Sequence, residues 1–196
     1  MRFFVLAAAA ACLIAYASFA DAEAEATIII PKTLRELAAE SERVVVAEVV
    51  SQRADWLNGD QTTLIYTHTT LKVSESLKGG AIESLTVSEV GGTVGEVTCA
   101  CAGMPTFRPG ERVLLFLYRD VLGFWRTSGL IQGKFPIVRD MVAKEDIVRL
   151  GEGLEHVWKG SFEAWQISKT KTVLAEDMLA KAKELIALTA KKETKK

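Results

Sequence analysis

Between residues 41 and 138 the chain is a run of strand-like segments, interrupted by glycine-rich corners and one long irregular stretch. β-Branched and aromatic residues recur there at alternate positions, which suits a pleated sheet with a buried face. Residues 43–53 are rich in Val and form the first expected strand. Residues 54–61, with Trp56 and the Asn58-Gly59-Asp60 triplet, read as a polar loop. Residues 62–77 form a long second strand, with Ile65, Thr67, Thr69, Leu71 and Val73 on one face and Tyr66, His68, Thr70 and Lys72 on the other. Lys78-Gly79-Gly80 turns the chain.

The third expected strand spans residues 84–90, with Leu85 and Val87 inward. Residues 91–110 read as a long loop that ends in the turn signal Pro109-Gly110, and loops of that length are usually functional or disordered. Residues 112–118 form the fourth strand. Val113, Leu114, Leu115, Phe116 and Leu117 are apolar without alternation, so both faces of this strand should be covered. Residues 124–130 and 134–138 read as one final strand, bent or bulged around Gly129 and Gly133. The expected fold is mainly β: a five-stranded barrel over residues 27–140, followed by an extension over 141–196.

Short helical signals flank the strands. Thr33 and Glu36 form a capping box that opens a helix through about residue 41, with Leu34, Leu37 and Ala38 on one side. In the extension, residues 145–151 suit a short strand or a helix equally. Leu154, Trp158, Phe162 and Trp165 recur at near-helical spacing, although Gly160 interrupts them. Residues 172–190 give the clearest helix, whose stripe of Leu174, Met178, Ala182, Leu185 and Ile186 is expected to pack against the barrel.

The first 22 residues read as a secretory signal rather than as part of the fold. Arg2 supplies a basic start, residues 3–17 are almost wholly apolar, and two small-residue exits follow at Ala20 and Ala22. The apolar run is shorter than the roughly 20 residues of a membrane span, so an uncleaved anchor is the weaker reading. Cys12 lies too early for a lipid-acceptor cysteine and lacks the usual preceding Leu. The expectation is a periplasmic or extracellular protein, beginning at Asp21 or Glu23, with no stable membrane insertion after signal removal. A formal charge of −1 over 196 residues argues against a nucleic-acid partner, which needs a concentrated basic surface. The terminal lysines, including Lys195 and Lys196, suit a solvated tail.

With the signal removed, Cys99 and Cys101 are the two remaining cysteines, and export would expose them to an oxidising compartment. A disulfide between them is expected but geometrically awkward. Residues i and i+2 of a strand stand ~6.6 Å apart, near the upper limit for a disulfide. The local chain must bend, and Ala100, Ala102 and Gly103 allow it. A bridge formed this way is either a local clip or a labile, redox-active pair.

Several short stretches, taken in order, resemble the netrin-like domain. They are Ser41-Glu42-Arg43-Val44-Val45-Val46 at the start, Leu77-Lys78-Gly79 ending the second strand, Gly91-Gly92 after the third, and Pro109-Gly110-Glu111-Arg112-Val113-Leu114-Leu115 entering the fourth. The netrin-like domain is the barrel shared with tissue inhibitors of metalloproteinases, and the likeness is to its form in small exported bacterial proteins. It covers about half the chain. The resemblance implies a five-stranded OB-like barrel that binds through its loops and one strand face. The inhibitors chelate a protease zinc through an N-terminal Cys with a free amine. Here the only C-x-C, Cys99-Ala100-Cys101, is internal, so that mechanism does not carry over.

No catalytic constellation is recognisable. His68 and His156 are the only histidines, and H-E-x-x-H, G-x-S-x-G and paired C-x-x-C motifs are all lacking. His68 beside Cys99 would be needed for a thiol nucleophile, and a strand-face histidine is more simply a surface residue. Asp140, Glu145 and Asp146 surround an expected turn without an acid–base signature. The expected function is therefore binding or regulation of a protein partner, with a protease as one class of partner and no resident cofactor. Trp56, Cys99, Cys101 and Met104 are the candidate binding residues, because aromatic and loop residues are enriched at interfaces. Two alternatives stand beside this reading. Cys99, Cys101 and Met104 are soft donors within six residues that could handle thiols or Cu(I), and the C-terminal helix could assemble an envelope scaffold.

Overall fold

The computed structural model describes residues 29–58, 63–150 and 172–193. It is mainly β, with two α-helices. Helix α1 (Leu34–Glu40) begins where the capping box places it. Thr33 Oγ1 accepts from the Glu36 amide at 3.2 Å, and the Glu36 carboxylate accepts from the Thr33 amide at 2.7 Å. Strands β1 (Arg43–Asn58) and β2 (Thr63–Lys78) form a long antiparallel hairpin. Next come β3 (Ser84–Val90), the small hairpin β4 (Gly92–Val94) and β5 (Val97–Cys99), β6 (Arg112–Arg119) and β7 (Trp125–Thr127). A 3-10 turn η1 (Leu130–Gly133) leads into β8 (Lys134–Arg139), followed by β9 (Asp146–Arg149), β10 (Thr172–Leu174) and helix α2 (Ala175–Glu193).

Five strands close into a ring in the order β1-β2-β3-β7-β6, with β6 returning to β1. The segment β6-β1-β2-β3 has the spatial order of a Greek key, the fourth strand coming back beside the first. Strands β8, β9 and β10 continue the sheet outward from β6. The seam between β3 and β7 is parallel and has a single pair of facing residues, Val87 and Trp125.

The strand periodicity divides the core into two layers. Val45, Ala47, Val49, Leu71, Leu85, Val87, Val113, Leu115 and Leu117 fill the ring's interior, closed at one end by Phe107. Alternate residues of the same strands, Val44, Val46, Leu114 and Phe116, point outward and pack with Leu37, Phe135, Ile137, Met178 and Leu185. Helices α1 and α2 thus cover the outside of β1 and β6. Five successive residues of β6, Val113–Leu117, are fully buried, as its unbroken apolar run requires.

Four sequence expectations change. β1 does not end at Arg53. It stays paired with β2 out to Asn58 opposite Thr63, so the expected loop at 54–58 is strand and Trp56 lies on it, because the cross-strand ladder outlasts the Val-rich core segment. The final strand is two strands on one edge of β6: β8 pairs with residues 112–115 and β7 with residues 117–119. Residues 128–133 loop out opposite Phe116, and their feet meet at Gly133, where an added Cβ would lie 2.3 Å from the Ser128 carbonyl. Residues 172–174 are strand β10, paired with β9, rather than the first turn of the helix. The 91–110 stretch, expected as loop, contains the β4–β5 hairpin; of the two readings left open for residues 145–151, the structure takes the strand, β9. The aromatic spacing at 154–165 and the signal segment lie outside the described residues.

Candidate functional site

The 91–110 segment folds back over one end of the ring. At its start, the Gly91 amide donates to the Ile65 carbonyl at 2.8 Å, and the Thr67 hydroxyl donates to the Gly91 carbonyl at 2.7 Å. At its far end Phe107 packs with the residues of the ring interior. Lys134 clamps that end, standing 4.9 Å from the Phe107 ring centroid and 2.7 Å from the Glu111 carboxylate while it donates to the Thr106 carbonyl. Between these anchors, Gly92 pairs with Cys99 across the β4–β5 hairpin, and the Met104 amide donates to the Cys101 carbonyl at 3.3 Å in a turn.

Beneath this roof is a cavity of about 340 Å³, walled by Gln52, Thr69, Glu89, Cys99, Cys101, Met104 and Phe107 among others. Three of the four sequence candidates, Cys99, Cys101 and Met104, therefore share one site. The fourth adjoins it. Gln52, Ala54 and Trp56 succeed one another on one face of β1: Gln52 lines the cavity, Ala54 lies against Gly92, and Trp56 is 42% exposed beyond it. The two cysteines are thiols with their Sγ atoms 4.0 Å apart, both half-buried. Burial pushes the Cys101 thiol above its ordinary pKa, and the neighbouring Cys99 adds to the rise.

Sequence reasoning passed over Glu89, which lines this cavity and is 4% exposed. Its carboxylate accepts from Arg126 Nε at 2.9 Å and from the Thr127 amide at 2.7 Å. It thereby supplies the hydrogen bonds that the single-pair β3–β7 seam lacks. Burial drives its carboxyl above the ordinary value, against the pull of Arg126 and Thr127. Burial also opposes the charge on Arg126, but Glu89 outweighs it and holds the guanidinium above its usual range. Asp120, at 3.5 Å, and the Tyr66 ring, 5.6 Å from the guanidinium, complete the surroundings of Arg126. The available signal was phase: Glu89 continues the inward series Leu85 and Val87.

His68 is not part of the site. It lies on the face of β2 opposite Thr67 and Thr69, with Nδ1 2.8 Å from the Ser88 hydroxyl and its ring edge-on to Phe124 at 5.8 Å. Burial there, reinforced by Arg53, lowers its pKa. A second hollow, about 570 Å³, lies between α2 and the β8–β9 corner. There, Arg112 and Arg139 are both committed to Asp146, at 2.8 and 3.1 Å. No family model and no curated protein matches the chain.

Proposed function

We propose that this chain is an exported, non-catalytic binding module of netrin-like type, built on an OB-like barrel, and that it receives a protein partner at the 91–110 segment. The observation that carries this reading is the cavity of about 340 Å³ at one end of the ring, roofed by that segment. The ring interior is filled with side chains, which leaves loops and mouth as the binding surface, as in OB folds. The Greek-key order and the fifth strand that closes the ring support the barrel. A cavity at the small end of the range for ligand sites suits one or two apolar side chains of a partner, with Trp56 as a neighbouring contact. A protease is the partner class that the netrin-like resemblance implies. Assembly through α2 has less support, because its Met178, Ala182 and Leu185 are already buried in the core.

The test is retention of partners from the native exported fraction on immobilised mature protein. The comparison variants are the Cys99→Ser/Cys101→Ser double mutant and Ala100→Trp, which places bulk at the cavity wall. A specific partner should bind the parent protein and lose at least about tenfold in affinity, roughly 1.4 kcal/mol, to either folded variant. Unchanged affinity for both variants would remove the cavity from the function.

A further inference from the structure

We propose that Cys99 and Cys101, with Met104 as the third donor, form a binding site for one Cu(I) ion within the cavity. The geometry is the first support. The two Sγ atoms stand 4.0 Å apart. A three-coordinate ion with metal–sulfur bonds of about 2.3 Å holds its sulfurs about 4.0 Å from one another. A disulfide would instead require the sulfurs to close to about 2.05 Å. The backbone of both residues is held in place: Cys99 is paired with Gly92 in the β4–β5 hairpin, and the Met104 amide is bonded to the Cys101 carbonyl. Met104 lines the same cavity as both cysteines.

Donor chemistry selects the ion. Thiolate and thioether sulfurs favour Cu(I) over hard divalent cations. Structural zinc requires four ligands, and among the described residues no group of three His, Cys, Asp or Glu side chains converges. The carboxylate in the cavity wall, Glu89, is already engaged by Arg126 and Thr127. Phe107 and Pro105 give the same cavity apolar walls. Binding is a ligand exchange without electron transfer. Copper enters as Cu(I), both thiols release their protons, and the ion with its two thiolates carries a net charge of −1. Affinity should therefore rise with pH.

The experiment is anaerobic titration of the reduced mature protein with Cu(I) against a chromogenic Cu(I) chelator, with Zn(II) in parallel. One Cu(I) per chain should be withheld from the chelator, with Zn(II) failing to compete. The Cys99→Ser/Cys101→Ser protein should lose that copper entirely, and Met104→Leu should bind at least about tenfold more weakly. Independently of how the serine variant folds, the parent protein supplies a second readout: Cu(I) should shield both thiols from alkylation, read by mass spectrometry. Copper retained by the folded serine variant, tighter Zn(II) binding, or alkylation unaffected by Cu(I) would each overturn the site. None of these readouts involves a protein partner, so the copper site and the partner-binding function fail independently.

Discussion

Glu89 bears directly on the ring's closure. The β3–β7 seam has one facing pair, and the Glu89 carboxylate makes up the deficit by accepting from Arg126 and the Thr127 amide. Removing one member of a buried ion pair strands the other, so Glu89→Ala should cost about 3–5 kcal/mol and Glu89→Gln less. The pH dependence has a definite sign. The folded carboxyl titrates above the ordinary 4.5, so folding favours its protonated form. Its contribution is complete below 4.5 and is lost as pH rises through the raised value. Denaturant unfolding at a series of pH values should show that decline in the parent protein and not in Glu89→Gln. Identical slopes, or a Glu89→Ala cost under about 1 kcal/mol, would show that the seam does not rely on this carboxylate. At this scale the sequence disclosed the sulfurs and the aromatic but not the charge. Cys99, Cys101, Met104 and Trp56 stand out by residue type, whereas Glu89 stands out only by its inward phase. Its partner Arg126 comes from a strand of three residues, too short to show any phase. The Lys78-Gly79 and Pro109-Gly110-Glu111 motifs prove to be corner fittings. Lys78 Nζ donates to the Ala38 carbonyl at the end of α1 at 2.9 Å, Arg43 donates to the Gly79 carbonyl at 2.6 Å, and the Gly110 amide donates to the Val49 carbonyl at 2.8 Å.

Strand β6 is the element that joins the two core layers. Leu115 belongs to the ring interior, while Phe116 lies between the ring and the helices, with its ring edge-on to Phe135 at 5.7 Å. Both are fully buried. Leu115→Ala should cost about 2–5 kcal/mol and Phe116→Ala about 3–5 kcal/mol, each by loss of transfer energy and creation of a cavity. The two costs arise on opposite sides of the sheet. Thermal or denaturant unfolding checks both, and a loss below about 0.5 kcal/mol at either position would contradict burial on that side. The unbroken apolar run made this element legible in sequence. The elements that were misread owe their form to partners distant in the chain. The outer half of β1 is strand because β2 runs beside it, β10 is strand because β9 offers an edge, and the η1 excursion is tolerated because β6 can pair on either side of it. Local composition carries none of these relations.

Across the whole molecule, the two helices and the outer strands cover one side of the ring, and the 91–110 segment covers one end. While the core buries the apolar stripe of α2, Trp56 is exposed on β1 two residues beyond Ala54, which lies against Gly92 at the cavity wall. We propose that the cavity and Trp56 are where the protein binds its partner. Hydrogen-exchange mass spectrometry of the protein, alone and with a partner it retains, tests that proposal most directly. New protection is predicted in residues 91–110 and the outer half of β1, with exchange in α2 and β9 unchanged. Protection confined to α2 and the β8–β9 corner, with residues 91–110 exchanging as freely as before, would contradict it.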